Sequence, residues 1–134
     1  MALTYSDAIA NARLDQVETT IGASAILRIR SGAAPSTVAT ASSGSVLATC
    51  SLPSDWMSAA SSRTKAKLGT WQDTSADATG TAAHFEIVAS DTTTVGMRGS
   101  VTATGGGGDM TVDSTSFTAG QAFSVTTFTL THGN

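Results

Sequence analysis

The chain has 134 residues, a net charge of −3, and 76 residues that are Ala, Gly, Ser or Thr. A core of this length buries roughly two-thirds of the unfolded surface, which leaves room for one domain, 1–134, and excludes a second. Leu, Ile, Val and Phe number only 24, a level that accompanies disorder when net charge is large; here the low charge and clear alternation predict a lightly packed β fold instead.

Ser6 is placed to cap a helix beginning at Asp7, and Ala10, Leu14, Val17 and Ile21 recur at helical spacing until Gly22 stops it. Asp7, Asn11, Asp15 and Glu18 fall on the opposite face and read as wet. Residues 1–22 are therefore expected to form an amphipathic N-terminal helical arm that lies on its own sheet, the commoner arrangement, or on a neighbour.

The strand pattern starts at Ala25–Arg30, with Leu27 and Ile29 on one face and Arg28 and Arg30 on the other. Residues 33–45 read as an exposed connection. Alternation resumes at Val46, Ala48, Cys50 and Leu52, which buries Cys50 as a small hydrophobe. Residues 53–63 read as a loop or one short helical turn carrying Trp56 and Met57, where Trp56 either plugs the end of the fold or anchors a neighbour. In Lys65–Trp71 the period of two puts Ala66 and Leu68 inward, with Lys65, Lys67 and Trp71 outward.

A hairpin follows, in which Ala83, Phe85 and Ile87 face the core, His84 and Glu86 point away, and residues 91–94 turn into Val95–Val101. After the glycine run 105–108 comes a short strand around Met110 and Val112. Phe123 and Val125 then lie on one parity and Phe128 and Leu130 on the other, which predicts a bulge near Thr126 or Thr127. The count of strands after one helix predicts a mainly β fold: an antiparallel β-sandwich, of which a jelly roll is one form, with one N-terminal α-helix.

No residue pattern points to catalysis. Serines are abundant, but there is no G-x-S-x-G elbow, and His84 and His132 read as surface groups without metal-ligand spacing. One cysteine excludes an intrachain disulfide. Asp73 and Asp77, with Ser and Thr oxygens between them, are candidates for calcium, although a solvated loop accounts for them more simply. The glycine run lacks the G-K-[ST] of a phosphate loop. No cofactor or metal is expected, and the chain lacks both a secretory leader pattern and an apolar run of membrane length.

Residues 1–67 carry a charge of +2 and residues 68–134 one of −5, too weak an asymmetry for a nucleic-acid partner. The candidate protein-interface residues are Leu14 and Val17 on the helix, Arg28, Arg30, Lys65 and Lys67 as a basic sheet face, and Trp56 and Trp71 as anchors. A sparse core also predicts a homo-oligomer.

N-A-R-L-D at 11–15, D-T-S-A-D-A-T-G-T-A at 73–82 and T-L-T-H-G-N at 129–134, together with the strand ending I-R-S-G-A-A-P, resemble small virion proteins of tailed bacteriophages over nearly the whole chain. The resemblance is closest to head decoration or cement proteins. It implies a non-enzymatic β-sandwich or jelly-roll protein made in the host cytoplasm and bound to the head surface of the virion, with the major capsid protein as partner. It carries no functional residue across. The competing readings are a carbohydrate- or receptor-binding module of a tail fibre or baseplate, and a tail or head-completion component.

Overall fold

The computed structural model describes residues 3–132, and in it the chain is mainly β with one N-terminal α-helix. Gly133 and Asn134, which end the T-L-T-H-G-N motif, and Met1 and Ala2 of the predicted arm lie outside the described residues. Helix α1 spans Asp7–Ile21. Ser6 Oγ accepts from the Ile9 N–H at 3.4 Å, and Gly22, at φ +92°, donates its N–H to the Glu18 carbonyl at 2.8 Å. Ala10, Leu14 and Ile21 are buried and Val17 packs at the edge of the core, so the helix lies on its own chain.

Among the described residues eleven strands follow: β1 Ile26–Arg30, β2 Val46–Ser51, β3 Thr64–Ala66, β4 Trp71–Asp73, β5 Gly80–Thr81, β6 His84–Val88, β7 Val95–Ala103, β8 Met110–Val112, β9 Ser116–Phe117, β10 Phe123–Val125 and β11 Thr129–Thr131. Five of them make one sheet in the order β2-β1-β6-β7-β8, antiparallel except where β8 joins β7 in parallel. The sheet is therefore mixed. The remaining strands form two-stranded antiparallel ribbons, β10 with β4, β11 with β3 and β5 with β9.

Aromatic side chains supply the bulk that aliphatic residues lack. Trp56 and Trp71 are fully buried with ring centroids 6.0 Å apart, Trp71 meets Phe128 at 5.7 Å, and Phe128 meets Phe85 edge-on at 5.4 Å. Leu27, Ile29 and Ile87 join them in the same cluster, with Cys50, Ala48 and Ala82 filling narrow places. Each indole N–H is satisfied, that of Trp56 by the Gly22 carbonyl and that of Trp71 by the Leu68 carbonyl, both at 3.1 Å.

Several expectations need correction. The parity change after Val125 is a change of partner rather than a bulge: β10 pairs with β4, and β11 leaves to pair with β3. His84 and Glu86 are fully buried, because the 33–45 segment folds over what alternation marks as a wet face. The ends of that segment are tied where the Ser31 N–H donates to the Ser45 carbonyl at 3.1 Å. Gly44 makes this approach possible: its φ is +69°, and a Cβ there would fall 1.8 Å from the Ser31 carbonyl oxygen.

Charge holds the segment down. Arg98 Nη1 donates to the Thr37 and Thr40 carbonyls at 2.6 and 3.2 Å, and Arg30 Nη1 to the Gly44 carbonyl at 3.3 Å. These two guanidiniums are themselves oriented by Glu86, which accepts from Arg30 Nε at 2.8 Å, Arg98 Nη2 at 3.1 Å and Ser42 Oγ at 2.6 Å. Arg28 Nη1 stands 3.8 Å away. Burial alone would raise the Glu86 carboxyl, but the hydrogen bonds from Ser42, Arg30 and Arg98 outweigh it and hold it below its usual value.

Glu86→Gln leaves three guanidiniums around a neutral amide. We expect a loss of about 3 kcal/mol in urea unfolding, with faster proteolysis inside 33–45 under native conditions. A loss below about 0.5 kcal/mol with unchanged proteolysis would remove Glu86 from this role.

Candidate functional site

The acidic stripe of α1 is not left to water; it captures the segment 56–65. Asn11 Oδ1 accepts from the Arg63 N–H at 2.9 Å and Asp15 Oδ1 from the Ala60 N–H at 2.8 Å. Glu18 Oε1 takes the Trp56 and Met57 N–H groups, both at 2.9 Å. Residues 7, 11, 15 and 18 line one flank at helical spacing, so consecutive backbone donors of a loop with little regular structure find acceptors along a helix. Asp7 completes the row by pairing with Arg63 Nε at 2.8 Å.

Lys65 closes this joint. Its side chain is 3% exposed, and its Nζ lies 2.8 Å from Asp15 Oδ1, 3.0 Å from Glu18 Oε2 and 2.9 Å from the Ser58 carbonyl. The Lys65 hydrogen bond and the Ala60 N–H lower the Asp15 carboxyl. For Glu18, burial opposes and the Met57 N–H and Lys65 prevail, so it too is lowered. Burial would lower the Lys65 ammonium, but Asp15 and Glu18 carry it above its ordinary value.

The predicted basic face is not assembled. Arg28 and Arg30 belong to the five-stranded sheet, where Arg30 pairs with Glu86 under the 33–45 segment and Arg28 donates to the Thr92 carbonyl at 3.0 Å, whereas Lys65 lies on the β3–β11 ribbon against α1. Within Lys65–Trp71 the parity is inverted: Lys65 and Trp71 are buried, and Ala66 and Leu68 are exposed. Lys67 donates to the Gly69 carbonyl at 2.7 Å with its ammonium 5.7 Å from the centroid of the Trp71 ring. Leu14 and Trp56 are likewise turned inward. Of the residues named from sequence, Val17 lines an open apolar groove.

That groove, about 430 Å³, runs between α1 and the β6–β7 hairpin. Val17, Ile21, Ala89 and Val95 line it, Arg13 is its charged residue, and Ile9, on the same helix, is 49% exposed. Gly96 lets the helix approach, since a Cβ there would stand 2.4 Å from Ile21 Cγ1. Sequence reasoning missed Ile9 and Arg13 because they lie on neither the apolar stripe nor the acidic one.

Asp73 is half-buried and Asp77 exposed, and both carboxylates have structural partners. Asp73 Oδ2 accepts from the Thr49 N–H at 2.9 Å and Asp77 Oδ2 from the Thr49 hydroxyl at 2.7 Å, fastening the 71–80 segment to β2. Burial, then the charges of Asp73 and Asp77, push the Cys50 thiol up to about 12. Among the described residues no three His, Cys, Asp or Glu side chains converge as metal ligands, and no helix is long and apolar enough to cross a membrane.

The Lys65 joint has a defined pH signature. Asp15 and Glu18, lowered in the fold, contribute stability above their unfolded values near 4 that is lost as pH falls through the folded ones. Lys65, raised in the fold, contributes below 10.5 and is lost as pH rises through its folded value. Lys65→Met should lose about 3 kcal/mol at neutral pH, and its urea midpoint should decline less than wild type above pH ~10.5. Parallel alkaline declines in the two proteins would contradict the pairing.

No protein-family model, curated protein or solved structure matches the chain, so a function for these surfaces is argued from their geometry.

Proposed function

We propose that the chain is a non-enzymatic structural protein of a tailed-phage particle, a decoration or cement protein that binds the outside of the head and braces junctions between capsid subunits. The major capsid protein is its partner, the head surface its location, and neither nucleic acid nor membrane takes part. The five-stranded sheet and the ribbons sharing its aromatic core are read as the two layers of a β-sandwich.

The observation that carries this reading is how the surface divides. The charged residues of α1, β1, β3, β6 and β7 hold the chain's own segments together through Lys65 and Glu86. An apolar groove beside α1, with Arg13 in its wall, stays open, and Ile9 is exposed on the same helix. Such a molecule is suited to adhere as a rigid block. A modest apolar contact with one polar anchor, repeated at many equivalent positions, raises the free energy of separating shell subunits without demanding high affinity from any one copy.

The test is binding of the purified chain to heads stripped of accessory proteins. Wild type should load in many copies over the head surface. Ile9→Glu should weaken loading about tenfold, as loss of an apolar anchor worth about 1.4 kcal/mol does, with an unchanged melting temperature. Labelling confined to the tail, or equal loading by the variant, would count against the proposal.

A further inference from the structure

Two strand edges are left open toward each other. In the β6–β7 ladder the Val101 N–H donates to the Ala83 carbonyl at 3.0 Å, so by alternation Gly99 and Met97 also face β6, and Ser100 and Arg98 turn their backbone groups outward. The Ser100 N–H is taken by Asp109 Oδ2 at 2.9 Å. β8 pairs with β7 only from Val101 onward, which leaves the edge at Arg98 uncovered by a strand.

β11 repeats the arrangement. The Phe128 carbonyl accepts from the Lys67 N–H at 2.8 Å, and the His132 N–H donates to the Arg63 carbonyl at 2.9 Å, so Thr129 and Thr131 direct their backbone groups away from β3. Between the edges lies a cleft of about 430 Å³ to which Phe85, Met97, Phe128 and Leu130 give an apolar part and Arg98, Asp109 and the two threonines of β11 a polar one. Open edges over a partly apolar floor are the chemistry that receives an extended strand.

A cleft between two edges admits a lone strand and excludes a whole sheet. The sequence ahead of α1 has the pattern of such a strand. Met1, Leu3 and Tyr5 alternate with Ala2 and Thr4, the period of a strand with one apolar side. Leu3 is 69% exposed, the most exposed large apolar side chain among the described residues, so its own molecule does not cover it. Tyr5 packs edge-on against His132 with ring centroids 5.8 Å apart, which places Tyr5 beside the end of β11.

We propose that the segment through Thr4 of one copy adds as a strand between β7 and β11 of a second copy, with Leu3 on the apolar floor. Donor and acceptor are different surfaces, so the contact is heterologous and builds rings or chains. It stands apart from the head-binding reading, which uses the groove beside α1.

Sedimentation velocity on the full chain tests it. Wild type should show oligomers that grow with concentration. Leu3→Glu disables the donor; Thr131→Pro removes an outward N–H from the acceptor without touching the β3 ladder. Each variant alone should be a monomer, and an equal mixture should stop at dimers, because each supplies the half the other lacks. That complementation also shows that both variants are folded. A monomeric wild type assigns the edges to a strand from elsewhere and overturns the proposal, as does Leu3→Glu assembling like wild type.

Discussion

Lys65 is a buried cation, and a buried cation has to be paired. That requirement ties together three parts of the chain that are distant in sequence. Asp15 and Glu18 come from α1, the Ser58 carbonyl from the loop that carries Trp56, and Lys65 itself from the ribbon that pairs with the last strand. Glu18 extends the joint with its other oxygen, which fixes the Trp56 and Met57 amides. The indole of Trp56 then donates to the carbonyl at the end of the same helix and carries its ring into the aromatic cluster. The pairing adds a polar tie to the apolar burial of Ala10, Leu14 and Ile21 that already seats the helix.

The opposite side of the molecule repeats this logic with the signs reversed. Glu86 is a buried anion among three guanidiniums, two of which, those of Arg30 and Arg98, reach past it to carbonyls of the 33–45 segment. A chain with few large aliphatic residues thus fastens irregular segments by carrying ionic groups inward and surrounding each with hydrogen bonds. Since such pairs contribute little net stability against apolar replacements, their clearest product is a single arrangement of segments that weak apolar contacts would leave loose.

Much of the regular structure was legible in the residues. The apolar stripe of α1, its cap at Ser6 and its stop at Gly22 follow from a 3.6-residue period, and β1, β6 and β7 from alternation. What alternation misjudged was which faces stay wet. Lys65-Ala66-Lys67 has the pattern of an exposed strand, and only the carboxylates of a helix packed against it reverse the reading. His84 and Glu86 are buried by a segment whose own sequence, small and polar, shows no sign of covering anything. A signal was present in the charges: Arg28, Arg30 and Arg98 share one face with a single acid, Glu86, and that imbalance suits a buried hub better than a solvated surface. The candidate interface shifted accordingly, from the basic strands and tryptophans, which are engaged internally, to the flank of α1 bearing Ile9 and Arg13.

The central claim is that α1 is an integral part of the fold, held by the Lys65 joint, rather than an arm that detaches. Native-state hydrogen exchange tests it most directly, because it reads the free energy of opening of each element separately. The account predicts that the amides of Val17–Ile21 exchange with the same opening free energy as those of β6, that is, only by global unfolding. Exchange of α1 at a much lower free energy, with β6 still protected, would contradict it.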